Sequence, residues 1–170
     1  QASIIVDKAL EHGRAAKFKP LTVVVLDAGG HRVALKREDG SSILRPQIAE
    51  GKAWGTLGMG FGGREFARRV QGNPAFMTSL MVASEGKVVP NAGGVLIIDD
   101  AGNVIGAVGI SGDTSENDEA CAVAGIKAAG LKADTGDAAY RLVVARRLSP
   151  PEERPGDAAA TGIEPQQTQP

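Results

Sequence analysis

The stretch LTVVVLDAGGHRVALK, residues 21–36, decides the fold. Leu21 to Leu26 is an unbroken apolar run rich in valine, Asp27-Ala28-Gly29-Gly30 supplies turn chemistry, and His31 to Lys36 alternates polar with apolar side chains. β-Branched residues fit a pleated surface and Asp with two glycines closes a reversal, so the segment reads as a β-hairpin. The continuous run predicts a first strand buried on both faces, and the alternation predicts a second strand buried on one.

Upstream, residues 3–16 set Ile4, Ile5, Ala9, Leu10 and Ala16 at helical spacing among Asp7, Lys8, Glu11 and Arg14, an amphipathic helix that Pro20 ends. Downstream, Arg45 to Leu57 has helical composition with Pro46 in its first turn, and the glycine-rich link 58–63 stops it. Two short helices follow, Glu65 to Val70 and Pro74 to Met81, parted by Gly72-Asn73. Strands are expected at Lys87 to Val89, Val95 to Ile98 and Val104 to Ile110, the last two joined by the turn residues 99–103. Asp113 and Glu116 have the spacing of a capping box ahead of a helix from Ala120 to Leu131, with Glu116, Asp118 and Glu119 matching its dipole. Tyr140 to Leu148 reads as a further strand or short helix, and the proline-rich tail from Ser149 reads as disordered. Antiparallel strands with segregated helices make an α+β layer with a sheet of about five strands. No GxGxxG opens a helix after the first strand, which excludes a dinucleotide-binding parallel sheet.

The 170 residues suffice for one domain and a short appendage. Net charge is −1, which leaves no field to hold nucleic acid or an anionic membrane. A single cysteine, Cys121, excludes disulfides and CxxC sites, and two histidines cannot build a zinc site, so no metal-ion site of that kind is expected. No apolar run reaches 18 residues, so a cytoplasmic protein is expected, with secretion left open by a chain that starts at Gln1. Glycine is abundant, at 23 residues clustered around turns and strand ends, a sign of close backbone approaches.

Candidate chemistry gathers at those ends. Asp27 reads as a turn residue and also as a carboxylate at the lip of a pocket. Lys52, mid-helix beside Ala49, Ala53 and Trp54, reads as a snorkelling cation or as the partner of Asp27 or of a ligand carboxylate. With His31 and Glu119 these make a polar set for metal-free proton transfer on a small aromatic or organic acid: an isomerase, lyase or decarboxylase. Arg64, Arg68, Arg69, Arg146 and Arg147 are dispersed and read as solvated.

Three linked motifs, LTVVVLDAGGHRVALKREDG (21–40), AEGKAWGT (49–56) and GGVLIIDDAGNVIGAVGISGDTSENDEACA (93–122), resemble the GlcG/HbpS family of small haem-binding proteins, a domain also fused to some corrinoid adenosyltransferases. The resemblance spans residues 3–131. It implies a profilin-like or PAS-like sandwich, a homo-oligomer (dimer or higher), and a small-molecule ligand that is haem or a related tetrapyrrole, with no other cofactor. It places a GlcG/HbpS-like domain at 1–133, an extension at 134–148 and the tail at 149–170. Leu96 stands where the family usually has proline and Asp113 where it usually has glycine. The axial donors on offer are His12, His31, Met59, Met77, Met81, Cys121 and Tyr140. The cofactor is expected at His12 and the glycine-rich strand ends Gly93, Gly94 and Gly112. A haem-binding module and a cofactor-independent enzyme are thus the two function classes carried forward.

Overall fold

The computed structural model describes residues 1–137. The hairpin is present as β1 (Thr22–Asp27) and β2 (Arg32–Arg37), preceded by α1 (Ala2–Ala15) and followed by α2 (Arg45–Met59), α3 (Gly63–Gly72) and α4 (Pro74–Ala83). The chain then forms β3 (Gly94–Ile98), β4 (Val104–Ser111), α5 (Ser115–Ala128) and β5 (Lys132–Asp134). Every strand pairing is antiparallel in a five-stranded sheet of order β2-β1-β4-β3-β5, the α+β class that the patterning predicts.

The core lies on both faces of the sheet. Val23 and Val25 of β1 point towards α1 and α5, where they meet Ile5, Ala9, Ala122 and Ile126, while Val24 and Leu26 point towards α2. Each such side chain contributes about 1.5–3 kcal/mol when fully buried. β1 is therefore buried on both faces, as its apolar run requires. β2 is a sheet edge on which only Ala34 and Leu35 are half-buried, so the single buried face expected of it is incomplete.

Helix α2 lies unusually close to the strands beneath it because its sheet-facing residues, Ala49 and Ala53, are small and the sheet offers glycine in return. A Cβ at Gly109 of β4 would overlap the Ala49 carbonyl oxygen. α3 and α4 extend the fold sideways around a satellite cluster of Phe61, Phe66, Met77 and Val88.

Three local expectations are corrected. Residues 87–89 form no strand: Val89 donates its amide to the Gly51 carbonyl of α2, and Val88 packs into the satellite cluster. α5 begins at Ser115, not Ala120, and its cap is Thr114, whose hydroxyl accepts from Asn117 N at 3.3 Å. Asp113 instead accepts from Lys19 N and Thr114 N, both at 2.7 Å, so no Asp113–Glu116 box forms. β5, three residues and too short to show periodicity, is a strand that the sequence pattern does not announce. The expectations for 140–148 and for the tail lie outside the described residues.

Substituting Gly109→Ala is predicted to cost about 3 kcal/mol or more, because backbone must move to admit the methyl. Gly72→Ala, in helix α3 with open space around it, is predicted to stabilise by about 0.5–1 kcal/mol. Urea unfolding of the two variants checks both signs.

Candidate functional site

Lys52 faces inward from α2 and is almost wholly buried, at 4% exposure. Its ammonium donates to the Ile110 carbonyl at 2.9 Å and to Asp118 Oδ2 at 3.0 Å. Asp118 is 1% exposed in the first turns of α5, and its Oδ1 accepts from Asp113 N at 3.0 Å. Burial pushes the Asp118 carboxyl above its ordinary range, against the pull of the Lys52 charge. Gly93 sits over this pair with φ +96°, and a Cβ there would come within 2.9 Å of Lys52 Nζ. The ammonium is thus committed to the protein itself.

Asp27 is nowhere near it. In the β1–β4 register Asp27 pairs with Gly106, four residues short of Ile110, a separation of about 13 Å along the sheet at about 3.3 Å per residue. Asp27 Oδ1 accepts from Gly29 N at 2.9 Å and His31 N at 3.0 Å, and His31 Nδ1 lies 3.3 Å away. The His31 amide is the largest influence holding this carboxyl below its ordinary value. Asp27 also lines a small apolar cleft of about 270 Å³ with Ile5, Val25, Ile97, Ile105 and Leu131.

Glu119 follows Asp118 but turns the other way, towards α3. Its side chain is 4% exposed, and Oε1 accepts from Arg64 Nε at 2.7 Å with Arg64 Nη2 at 2.6 Å. Its Oε2 is buried with no hydrogen-bond partner among the described residues. Glu119 in turn raises the Arg64 pKa further. Both border a cleft of about 340 Å³ shared with Arg68, Ala92, Glu116 and Asp137. Asp27 and His31, Lys52, and Glu119 therefore occupy three separate places, and the fold does not assemble them into one centre.

The expected cofactor positions also separate. Gly94 packs on the Lys52 carbonyl and Thr56 Oγ1, and Gly112 packs on Pro20 and Leu21, so these glycines, like Gly93, are filled by the chain's own atoms. His12 is exposed in the last turn of α1, its ring edge-on to Phe18 with centroids 6.4 Å apart. Phe18 lines an open groove of about 510 Å³ with Arg14, Pro20, Arg37, Glu38 and Asp39. Burial pushes the Cys121 thiol up to about 12, which leaves it without a thiolate at neutral pH. No three His, Cys, Asp or Glu side chains converge on a metal position among the described residues. None of their helices is long and apolar enough to cross a membrane.

Sequence reasoning missed Arg64, read as solvated, and Asp118, read only as a dipole partner. The signal was present: two adjacent acids run straight into Ala120-Cys121-Ala122, so at least one must be buried and must find a cation.

Comparison with known proteins gives the following. The family described as "Haem degrading protein HbpS-like" matches residues 1–127. An uncharacterised 15.0 kDa protein from the dhaT-dhaS intergenic region of Citrobacter freundii is 32% identical over 99 residues, 58% of this chain and 68% of that one. The crystal structure of a PduOC:haem complex superimposes with TM-score 0.69 at 29% identity, covering 76% of this chain and 91% of that chain. Protein ORFY of Klebsiella pneumoniae gives TM-score 0.66 at 26% identity, covering 75% and 86%. HbpS, at 22% identity and TM-score 0.63, shares the fold.

Breaking the buried pair is predicted to be costly. Lys52→Met leaves Asp118 uncompensated and should destabilise by about 3–5 kcal/mol in urea unfolding, whereas Lys52→Met with Asp118→Leu should cost less than the sum of the single changes.

Proposed function

The chain belongs to the HbpS-like family, and from that premise we propose that it binds haem or a related tetrapyrrole on its surface, with His12 as the iron donor. The observation that carries the reading is the likeness to the PduOC:haem complex over nine-tenths of that chain. The local chemistry supports it. Haem is held by an axial donor and an apolar face, and nearby cations attract its two propionates. Among the described residues the His12 imidazole has no hydrogen-bond or ion-pair partner, Phe18 and Pro20 give the adjoining groove an apolar side, and Arg37 makes no ion pair. Arg14 adds a second guanidinium, bound to Glu38 at 2.9 Å.

The other imidazole is less suited. His31 adjoins a cleft about half that size, and no Lys or Arg side chain lines it to offset Asp27, whereas Arg14 and Arg37 stand beside Glu38 and Asp39 in the larger groove. When bound, haem supplies an iron centre; the chain supplies donor, apolar contact and countercharge. The groove is open to solvent, so a second copy of the chain is the natural cover for the exposed face of the ring.

A homo-oligomer is supported independently by α4, of whose residues only Met77 is buried while Phe76, Met81 and Val82 are exposed. A helix with apolar side chains on every side is normally buried, so one that buries a single residue lacks partners among the described residues. The proton-transfer alternative retains one supporting observation, the unpartnered Glu119 oxygen.

Haemin titration of the full chain is expected to give a saturable Soret shift, weakened at least tenfold in His12→Ala and unchanged in His31→Ala. A shift no greater than with a non-binding control protein contradicts haem binding, and loss in His31→Ala instead moves the site to the hairpin turn. Light scattering is expected to report a dimer or larger, with a lower mass for the Phe76→Ser, Val82→Ser double variant; a monomeric wild type contradicts the oligomer.

A further inference from the structure

Resting on the reading of the groove beside His12 as the haem site, we infer that Asp113 is its positioning residue: from outside the groove it pins segment 17–21, which stands Phe18 and Pro20 as the apolar wall. That segment is irregular, and its amides are held from different places. α1 ends in a left-handed residue, Lys17 with φ +58°, a conformation that costs a residue with a side chain more than it costs glycine. Lys17 N donates to the Arg14 carbonyl at 3.1 Å and Phe18 N to the Gly13 carbonyl at 2.9 Å, which closes the helix end. Pro20 has no amide hydrogen, and Leu21 N donates to Glu38 Oε2 at 2.8 Å. Between the two wall residues the Lys19 amide donates to Asp113 Oδ2 at 2.7 Å, across 94 positions of sequence. Without that bond no amide anchors the chain between Phe18 and Leu21.

Asp113 is itself well held. Its Oδ1 accepts from Thr114 N at 2.7 Å and from Asn117 Nδ2 at 3.0 Å, and its own amide donates to Asp118 Oδ1, the carboxylate that Lys52 binds. The Lys19 amide is the largest influence holding the Asp113 carboxyl below its ordinary value, so the acceptor is ionised at neutral pH, and such bonds are about twice as strong as neutral ones. Gly112 brings the end of β4 against the same segment: a Cβ there would lie 2.3 Å from the Pro20 carbonyl oxygen. Wall and iron donor move together, because the Phe18 ring meets the His12 ring edge-on with centroids 6.4 Å apart. Asp113 does not line the groove. Its removal takes away a negative charge, which by itself would favour propionates, so weaker haem binding in its absence is a signature of lost geometry.

Asp113→Ala and Asp113→Asn are compared with Thr114→Ala, which removes the α5 cap and keeps the Lys19 bond. In hydrogen exchange of the ligand-free full chain, the Lys19 amide is expected to exchange at least tenfold faster in Asp113→Ala, with shifted His12 and Phe18 ring resonances. Asp113→Asn keeps a neutral acceptor and should speed it about threefold. Haemin should bind at least threefold more weakly to Asp113→Ala, with Asp113→Asn between it and wild type and Thr114→Ala like wild type. Lys19 exchange and ring resonances unchanged in Asp113→Ala, haemin binding to it as tightly as to wild type or more so, or an equal loss in Thr114→Ala overturns the inference. Should Asp113→Ala fail to fold, Asp113→Asn takes its place, and wild-type exchange in that variant overturns the inference. A wild type that binds no haemin contradicts the haem reading alone, and the exchange and ring readings then decide whether Asp113 sets the groove.

Discussion

The buried ion pair between Lys52 and Asp118 is the constraint on which the rest of the structure depends. Two charges are taken out of water at 4% and 1% exposure, a transfer that is offset only when geometry is close and the remaining donors and acceptors are used. They are used here: the ammonium also reaches Ile110, and the carboxylate also holds Asp113 N. One contact thereby joins the middle of α2, the end of β4 and the first turn of α5. The position of α2 over the sheet and the rotation of α5 follow from it, and so does the direction of Glu119.

Small residues make that contact reachable. Lys52 meets Ile110 and Asp118 only because α2 lies on the strands with Ala49 and Ala53 as its contact residues and Gly94 and Gly109 beneath them. Gly93, with its left-handed φ, leaves the space that the ammonium occupies. Gly93, Gly94 and Gly109 are thus the footprint of one helix pressed on one sheet. The same packing closes off Gly93 and Gly94, glycines expected to face a cofactor, while Pro20 and Leu21 close off Gly112.

Much of this was legible in the residues. The hairpin at 21–36, the strand pair around 99–103 and the helix from Arg45 appear where apolar periodicity and turn chemistry put them, because each is determined by local pattern. The family was legible too, from motifs spread across the chain. What local pattern cannot carry was missed. Val88 is apolar because it fills a side cluster, not because it belongs to a strand, and three residues of β5 hold no period. Thr114 outcompetes Asp113 as cap because Asp113 is engaged by the distant Lys19 amide. The partner of Lys52 lies 66 residues away, and no spacing rule announces it. The helix face that placed Lys52 inward was readable; the carboxylate waiting there was not.

The groove proposed for haem is lined by Phe18 and Pro20, and between them the Lys19 amide donates to Asp113 just ahead of α5, so its shape requires that the strand end and the first turn of α5 stay put. Native-state hydrogen exchange at the amides of Ile110 and Asp113, which donate to Gly93 O and Asp118 Oδ1, tests that most directly. If the ion pair organises the fold, both protons exchange only through global unfolding, with the slowest amides of the molecule. Exchange of either by a local opening well below the global unfolding free energy would contradict the account.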